Sequence, residues 1–279
     1  MARHGLTAAA RIVAQRTGDG VTRLPVLSSQ APLVLRRTAD AVYLVGGAAG
    51  PLGGDDLTLG IDVRDGATLR LRTAAATIAL PGSDGGESVL RVDATVGSGG
   101  RLEYLPEPVV VSDGARHRVE LNVGMTADAA LLLRDEIILG RHGERGGSCV
   151  ARLRIDLDGT PLLRHELAIS GTDEVSLGPA VLAGHRAAGS LLAVDPGHQL
   201  AVDPSRKWQP SAAHHVAVMP LARHGVLVSV LADDALTLRQ LLDAATLEGS
   251  RTVTPPNRAS ARADGSRPPL NRPGEFRHL

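Results

Sequence analysis

The chain has very few aromatic residues and a single cysteine. Its 279 residues include one Trp, two Tyr and one Phe. Without rings on which bases could stack, the chain offers no platform for single-stranded nucleic acid, and its 43% of hydrophobic residues must pack as an aliphatic core. Because Cys149 stands alone, an internal disulfide and a metal site with several cysteine ligands are excluded. We interpret Cys149 as a buried structural thiol in a reducing compartment, with a soft-metal contact as the alternative.

The chain also lacks net charge and long hydrophobic runs. Thirty basic residues balance thirty acidic ones, so there is no overall attraction to nucleic acid or to an anionic membrane. No segment approaches the roughly 18 uninterrupted apolar residues of a membrane span, and the N-terminal residues have no hydrophobic signal core. These absences predict a cytoplasmic protein without nucleic-acid or membrane partners.

Familiar catalytic motifs are missing as well. The sequence has no Gly-x-Ser-x-Gly elbow, no Gly-x4-Gly-Lys-Ser/Thr loop and no His-Glu-x-x-His helix. Lys207 is the only lysine, so Schiff-base and P-loop chemistry lack their usual residue. The ten histidines are scattered, and the one adjacent pair, His214-His215, would face opposite sides of a strand and could not chelate together. We therefore predict no catalytic residues and no tightly bound cofactor, and interpret the histidines as surface or loop residues that could contact a metal ion transiently.

One short phrase recurs three times in the first half of the chain. It occupies residues 65–73, 98–106 and 127–135, and the copies align Leu69, Leu102 and Leu131. Each copy is a turn of small residues followed by a strand whose alternate residues point inward. Repeated turn-and-strand units of this kind are typical of stacked architectures, in which each unit packs on its neighbours.

The remaining sequence is also dominated by strand patterns. In the part of the chain before residue 170, the turns are marked by Asp-Gly pairs, which favour the positive backbone angles of tight hairpin turns. They are Asp19-Gly20, Asp65-Gly66, Asp84-Gly85, Asp113-Gly114 and Asp158-Gly159. We count about a dozen strands before residue 170, find residues 176–200 ambiguous, and predict a helix over 233–247 that begins at Asp233 or Asp234. The predicted fold is mainly β, a β-helical or stacked-sheet body of many short strands with one or two short helices.

The chain is predicted to form one domain over residues 1–249. From residue 250 onward the composition changes to Pro and Arg among polar residues, with too little apolar content to offset the entropy lost on ordering. We therefore predict a disordered tail over 250–279.

Several acidic residues interrupt apolar strands, where an unpaired carboxylate is costly. They are Asp55 with Asp56, Asp135 with Glu136, and Glu166. One interpretation is that they pair with neighbouring arginines such as Arg134, Arg141 or Arg164. The other is a polar lining that attracts cations, and carboxylate oxygens without clustered Cys or His would hold a borderline metal weakly enough for passage.

Three phrases in order resemble the urease accessory protein UreD (UreH) family. The first spans residues 50–57 and leads into the strand that ends at Thr73; the second spans 102–108, and the third spans 135–141 with Gly143-Glu144 beyond. The segment 225–242, a strand followed by an Asp-Asp-started helix, is also similar. The resemblance spans roughly residues 6–248.

This resemblance implies a non-catalytic maturation factor with a β-helical body. Such a protein binds a UreF-like accessory protein and, through it, a UreG-like GTPase, and the assembly docks on apo-urease to support nickel delivery. The resemblance also implies an internal tunnel for transient Ni²⁺, with Asp55, Asp135 and less clearly Glu166 or its neighbour His165 as metal contacts. A dimer within the complex is a further expectation. The alternatives are a β-solenoid carbohydrate-active enzyme with paired carboxylates and an interaction domain without metal.

Overall fold

The computed structural model describes residues 5–197, 211, 213–222 and 225–245, which contain seventeen strands and two helices. The strands are β1 Thr7–Arg16, β2 Thr22–Ser28, β3 Leu33–Arg37, β4 Val42–Gly46, β5 Asp56–Val63, β6 Thr68–Thr73, β7 Thr77–Ala79, β8 Ser88–Val96, β9 Arg101–Leu105, β10 Val109–Val111, β11 Arg116–Met125, β12 Ala130–Leu139, β13 Ser148–Leu157, β14 Thr160–Ser170, β15 Ala187–Val194, β16 His214–Leu221 and β17 Gly225–Ala232. The helices are α1 Glu174–Leu177 and α2 Ala235–Ala245. The mainly β fold class predicted from the sequence is confirmed.

Two sheets share the strands. The first has the order β14-β13-β11-β8-β5-β1-β2, and its five inner strands run parallel. The second has the order β16-β17-β15-β12-β9-β6-β4-β3, with β4, β6, β9 and β12 parallel. Short strands β7 and β10 pair in parallel beside the far half of β12. Each pass of the chain through the two sheets therefore adds one strand to both, as in a β-solenoid.

The register of the parallel strands produces ladders of like residues. Leu59, Val92, Leu121 and Leu153 are successive partners across the first sheet, and all are buried. Their side chains belong to one core cluster with residues of the second sheet, so the two sheets pack face to face. The aliphatic core expected from the scarcity of aromatics is thus built by stacking the same side chain positions from one coil to the next.

The three-copy repeat forms the centre of the second sheet. Leu69 pairs with Leu102, which pairs with Leu131, as the sequence alignment predicts. The preceding turns also stack, because the carboxylate of Asp65 accepts a hydrogen bond from the amide of Ser98, and the hydroxyl of Ser98 donates to Asp128. The expectation of stacked copies is confirmed in both the strands and the turns.

In the five Asp-Gly pairs before residue 170, the glycine has a positive φ, between 63° and 79°. Only Asp19-Gly20 and Asp158-Gly159 join antiparallel neighbours, β1 to β2 and β13 to β14. The expectation of hairpins is wrong for the other three, because in a solenoid the same tight turn carries the chain from one sheet to the next.

The C-terminal part of the described chain adds antiparallel strands and a helix. Helix α2 lies within the predicted range, and the carboxylate of Asp234 accepts a hydrogen bond from the Thr237 amide at its start. Leu238 and Leu242 bury its inner face against β15 and β17. Among the described residues, no helix is long and apolar enough to cross a membrane. The tail from residue 250 lies outside the described residues, so its disorder stays a prediction.

Candidate functional site

A small cavity lies inside the β body, where the third copy of the repeat meets the neighbouring strands. Its volume is about 30 Å³, enough for one or two water molecules. Strands β6, β9, β11 and β12 supply most of its wall. The polar side chains that line it are Thr73, Thr77, Tyr104, Glu107, Arg134, Asp135 and Glu136, among aliphatic residues that include Leu90 and Leu121.

Asp135 is the cavity's unpaired carboxylate. It sits in β12 opposite Ser190 of β15, and no ion pair to its side chain occurs among the described residues. The pKa of Asp135 is raised to about 6, because burial and, to a smaller extent, the charge of Glu136 outweigh the opposing hydrogen bond from the Glu136 amide. Burial, followed by the charge of Asp135, also raises the pKa of Tyr104. The site therefore holds a carboxylate that is energetically costly when charged and would gain from a cation.

The next residue, Glu136, is neutralised by arginines instead. Arg134 Nε lies 2.8 Å from its Oε1, and Arg239 Nε of α2 donates to the same oxygen at 2.7 Å. Arg239 also donates to both carboxylate oxygens of Glu107. Arg134 reaches in addition to Asp243 of α2 at 3.1 Å. This cluster, in which Glu136 and Arg134 are buried, fastens α2 to the cavity wall, and it confirms the ion-pair interpretation for Glu136.

Asp55 lies away from this cavity and has a different environment. Its Oδ1 accepts a hydrogen bond from the Leu6 amide at 2.8 Å, and its Oδ2 accepts one from the Leu52 amide at 2.9 Å. Asp55 is 5% exposed. Both oxygens are thus occupied in tying the first strand to the turn before β5, and the metal contact implied for Asp55 stays a prediction.

Glu166 and His165 are also separate from the cavity. The side chain of Glu166 is 52% exposed and pairs with Arg152 of the neighbouring strand. That contact lowers the pKa of Glu166. His165 is half-buried, and burial lowers its pKa. The structure therefore does not bring Asp55, Asp135 and Glu166 together, and no group of three or more His, Cys, Asp or Glu side chains suited to one metal ion exists within the described ranges.

Sequence reasoning missed most of the cavity's lining. Thr73 and Pro106 were recognised as strand ends in register with Asp135, and they do reach the cavity. Tyr104, Thr77 and Glu107 were not singled out, although a lone buried tyrosine in so aliphatic a chain is a detectable signal. Cys149 is buried as expected, and burial, then the charges of Asp135 and Glu87, raises its pKa.

A larger apolar groove lies beside the cavity. Its volume is about 430 Å³, and it runs between the residues around β4 and the segment from Thr73 to Leu80. Four residues line both spaces: Leu44, Thr73, Thr77 and Leu90. A single layer of side chains, two of them threonines with hydroxyl groups, thus lies between an open groove and the Asp135 cavity.

Comparison with known proteins agrees with this architecture. The family model described as UreD urease accessory protein matches residues 6–260. The chain belongs to the UreD family. A urease accessory protein UreD of Parafrankia sp. is 44% identical over 270 residues, covering 87% of this chain and 89% of its own length. The UreD proteins of Frankia alni and Streptomyces coelicolor are 43% and 44% identical, covering 87% and 86% of this chain and 93% and 96% of their own lengths.

The match includes all the elements that build the cavity. Residues 6–260 contain β1 to β17 and α2, and thus both the repeat that carries Asp135 and the helix that carries Arg239. The resemblance seen in the sequence is confirmed at the level of the family.

Proposed function

We propose that this chain is a non-catalytic scaffold for urease maturation that works with a UreF-like protein and, through it, a UreG-like GTPase on apo-urease. Its membership of the UreD family supports the role in maturation. The aliphatic β body supports a scaffold, because the sequence has no P-loop and no nucleophile motif. In this proposal GTP hydrolysis belongs to the partner.

The proposal extends to passage of Ni²⁺ through the interior, with the ion as cargo. One observation carries it: the carboxylate of Asp135 lines a small cavity, its pKa is raised, and no arginine pairs with it among the described residues. A divalent ion would offset the cost of that charge, while a single protein carboxylate is too few ligands to retain it. The threonines Thr73 and Thr77, which line both the groove and the cavity, supply oxygen ligands on the way to Asp135.

The test is a coexpression of urease with its accessory proteins, in which this chain carries Asp135→Asn. We expect the variant to co-purify with the UreF-like and UreG-like partners, and the urease it matures to contain several-fold less nickel. Glu166→Gln is the matched control, because Glu166 is an exposed carboxylate outside the cavity, and it should leave nickel content unchanged.

The two parts of the proposal fail separately. Normal nickel content with Asp135→Asn would contradict passage through the cavity but leave the scaffold role intact. Absence of the partners from the purified complex of the unmodified chain would contradict the scaffold itself. A pure chain that hydrolyses GTP would contradict the assignment of that step to the partner.

A further inference from the structure

A second polar site lies near the start of β15, the strand that pairs with β12, around a buried histidine. His185 lies two residues before the start of β15, and its side chain is 3% exposed. The turn before it contains two consecutive left-handed residues, Ala183 with φ 51° and Gly184 with φ 84°. Left-handed backbone at a residue with a Cβ is unfavourable and is retained where the surrounding structure requires it. The turn thus fixes the position of the His185 ring at a local cost in backbone energy.

Nδ1 of the His185 ring has a close hydrogen-bond partner, whereas Nε2 has none among the described residues. Nδ1 of His185 lies 2.6 Å from Oδ1 of Asp233, in the segment between β17 and α2. With the Nδ1 hydrogen donated to that carboxylate, Nε2 presents a lone pair. Nε2 is buried and has no hydrogen-bond partner within the part of the chain that the structure describes. A buried polar atom without a partner costs about 1–3 kcal/mol.

A carboxylate on one ring nitrogen and a vacant lone pair on the other form the arrangement found in metal-binding histidines. The carboxylate selects the tautomer, orients the ring and raises the basicity of the nitrogen that faces the metal. In most buried histidines of purely structural role both nitrogens find hydrogen-bond partners. The open Nε2 of His185 therefore points to a ligand.

A second imidazole lies at the right separation. His215 is exposed on β16, opposite Leu231 of β17. Its ring centroid is 5.1 Å from that of His185, with the ring planes at 67°. Two imidazoles bound to one tetrahedral ion, with metal–nitrogen distances of about 2.0–2.1 Å, have their ring centres about 5 Å apart. The two rings are already spaced for a shared ion.

We propose that His185 and His215 form a binding site for a divalent transition-metal ion, with Asp233 as the positioning residue that orients His185. Imidazole nitrogens favour the borderline ions Ni²⁺, Cu²⁺ and Zn²⁺ over Mg²⁺ or Ca²⁺. Two protein ligands leave coordination positions for water or for a side chain of a partner. The site is distinct from the Asp135 cavity and does not depend on passage of nickel through it.

The pairing also explains why the sequence did not reveal the site. His214 and His215 do face opposite sides of β16, so they cannot chelate together. The partner of His215 is instead thirty residues away in the chain, and antiparallel pairing of β16, β17 and β15 brings it near.

The test is calorimetric titration of the full chain, free of any histidine tag, with Ni²⁺ and separately with Zn²⁺. His215→Gln should weaken one binding event at least about tenfold, and because His215 is exposed this change should not disturb folding. Asp233→Asn should weaken the same event by about 10–100-fold. His214→Gln is the matched control, and it should bind like the unmodified chain.

A spectroscopic measurement identifies the ligands directly. With Cu²⁺ as probe, the electron paramagnetic resonance spectrum of the unmodified chain should show coupling to two imidazole nitrogens, and that of His215→Gln coupling to one. His185→Gln should also remove the two-nitrogen coupling, and circular dichroism would show whether that variant retains its fold. Asp135→Asn should leave the site unchanged. Equal affinity and the same nitrogen coupling in His214→Gln and His215→Gln would overturn the proposal and leave the two rings as an edge-to-face contact without an ion.

Discussion

Replacing Asp135 by Asn should make the protein more stable. The side chain keeps its size, but the charge that burial disfavours is removed from the cavity. The pKa of Asp135 rises from 3.8 to about 6 in the folded chain. Since one pH unit of pKa difference corresponds to 1.36 kcal/mol, the ionised form destabilises the fold by about 3 kcal/mol at neutral pH. We expect Asp135→Asn to recover about 2–3 kcal/mol at pH 8.

The extra stability of Asp135→Asn should depend on pH, and the direction of this dependence follows from the raised pKa of Asp135. An acid whose pKa is higher in the folded state than in the unfolded state makes the fold less stable as pH rises through the interval between the two values. For Asp135 this interval runs from about 4 to about 6. The advantage of the variant should be absent below about pH 4, grow through this interval and remain constant above it.

The assay is urea denaturation of the full chain and of Asp135→Asn at pH values from 4 to 8. In a thermal melt of the same two proteins, the expected gain in the free energy of unfolding should raise the melting temperature of a chain of this size by about 5–10 °C. Differences between the two proteins are compared, because His117 contributes an opposing dependence in both. Burial lowers the pKa of His117 to about 4, so its contribution to stability is lost as pH falls from about 6.5 towards 4.

Glu166→Gln is the control, because its carboxylate is exposed and should titrate with little effect on unfolding. Equal or lower stability of Asp135→Asn at pH 8 would refute the reasoning that the ionised Asp135 carboxylate is unpaired and destabilises the fold. A stabilised variant that also matures urease poorly would show that the charge is kept for function at the expense of stability.

Three further changes test other parts of the structure. Asp55→Ala should lower the free energy of unfolding by about 2–4 kcal/mol in urea denaturation, because two backbone amides lose their acceptor; an unchanged midpoint would contradict this structural role. Arg239→Ala should destabilise by about 2–3 kcal/mol, since Glu136 stays buried with only Arg134 beside it, and unchanged protease resistance of α2 would argue against this. Cys149 should react with a thiol reagent only after unfolding, because burial keeps it as the thiol; rapid labelling of the native chain would disprove that.

Local sequence patterns predicted the strands and their register well. Alternation in residues 57–63 reappears as the alternating burial of β5, and the alignment of Leu69, Leu102 and Leu131 is the actual hydrogen-bonded register. Parallel stacking makes this possible, because equivalent positions of successive coils become direct neighbours. Residues that align between copies of the repeat are therefore neighbours in the folded structure.

Local sequence patterns predicted less well those features that depend on contacts between segments far apart in the chain. An Asp-Gly pair specifies a tight turn, yet it does not say whether the next strand joins the same sheet. Similarly, Asp55 and Asp135 look alike as carboxylates near strands, but backbone amides occupy the first and a cavity surrounds the second. The ion pair between Glu136 and Arg239 joins residues about one hundred positions apart, and no local pattern encodes it.

The difference in surroundings explains why the functional proposal depends on the carboxylate of Asp135 and not on that of Asp55. Asp135 lies in the middle of β12, and in the third copy of the repeat it occupies the position that Thr73 and Pro106 occupy in the earlier copies, neither of which carries a charge. A neutral side chain at that position would stabilise the stacked strands more than aspartate does, because burial penalises the ionised form of Asp135. Glu136, one residue further, has two arginines to neutralise it, whereas Asp135 has none among the described residues. The unneutralised carboxylate of Asp135 therefore carries a cost that the ion pairs of Glu136 avoid, and the proposal of cation passage rests on this charge.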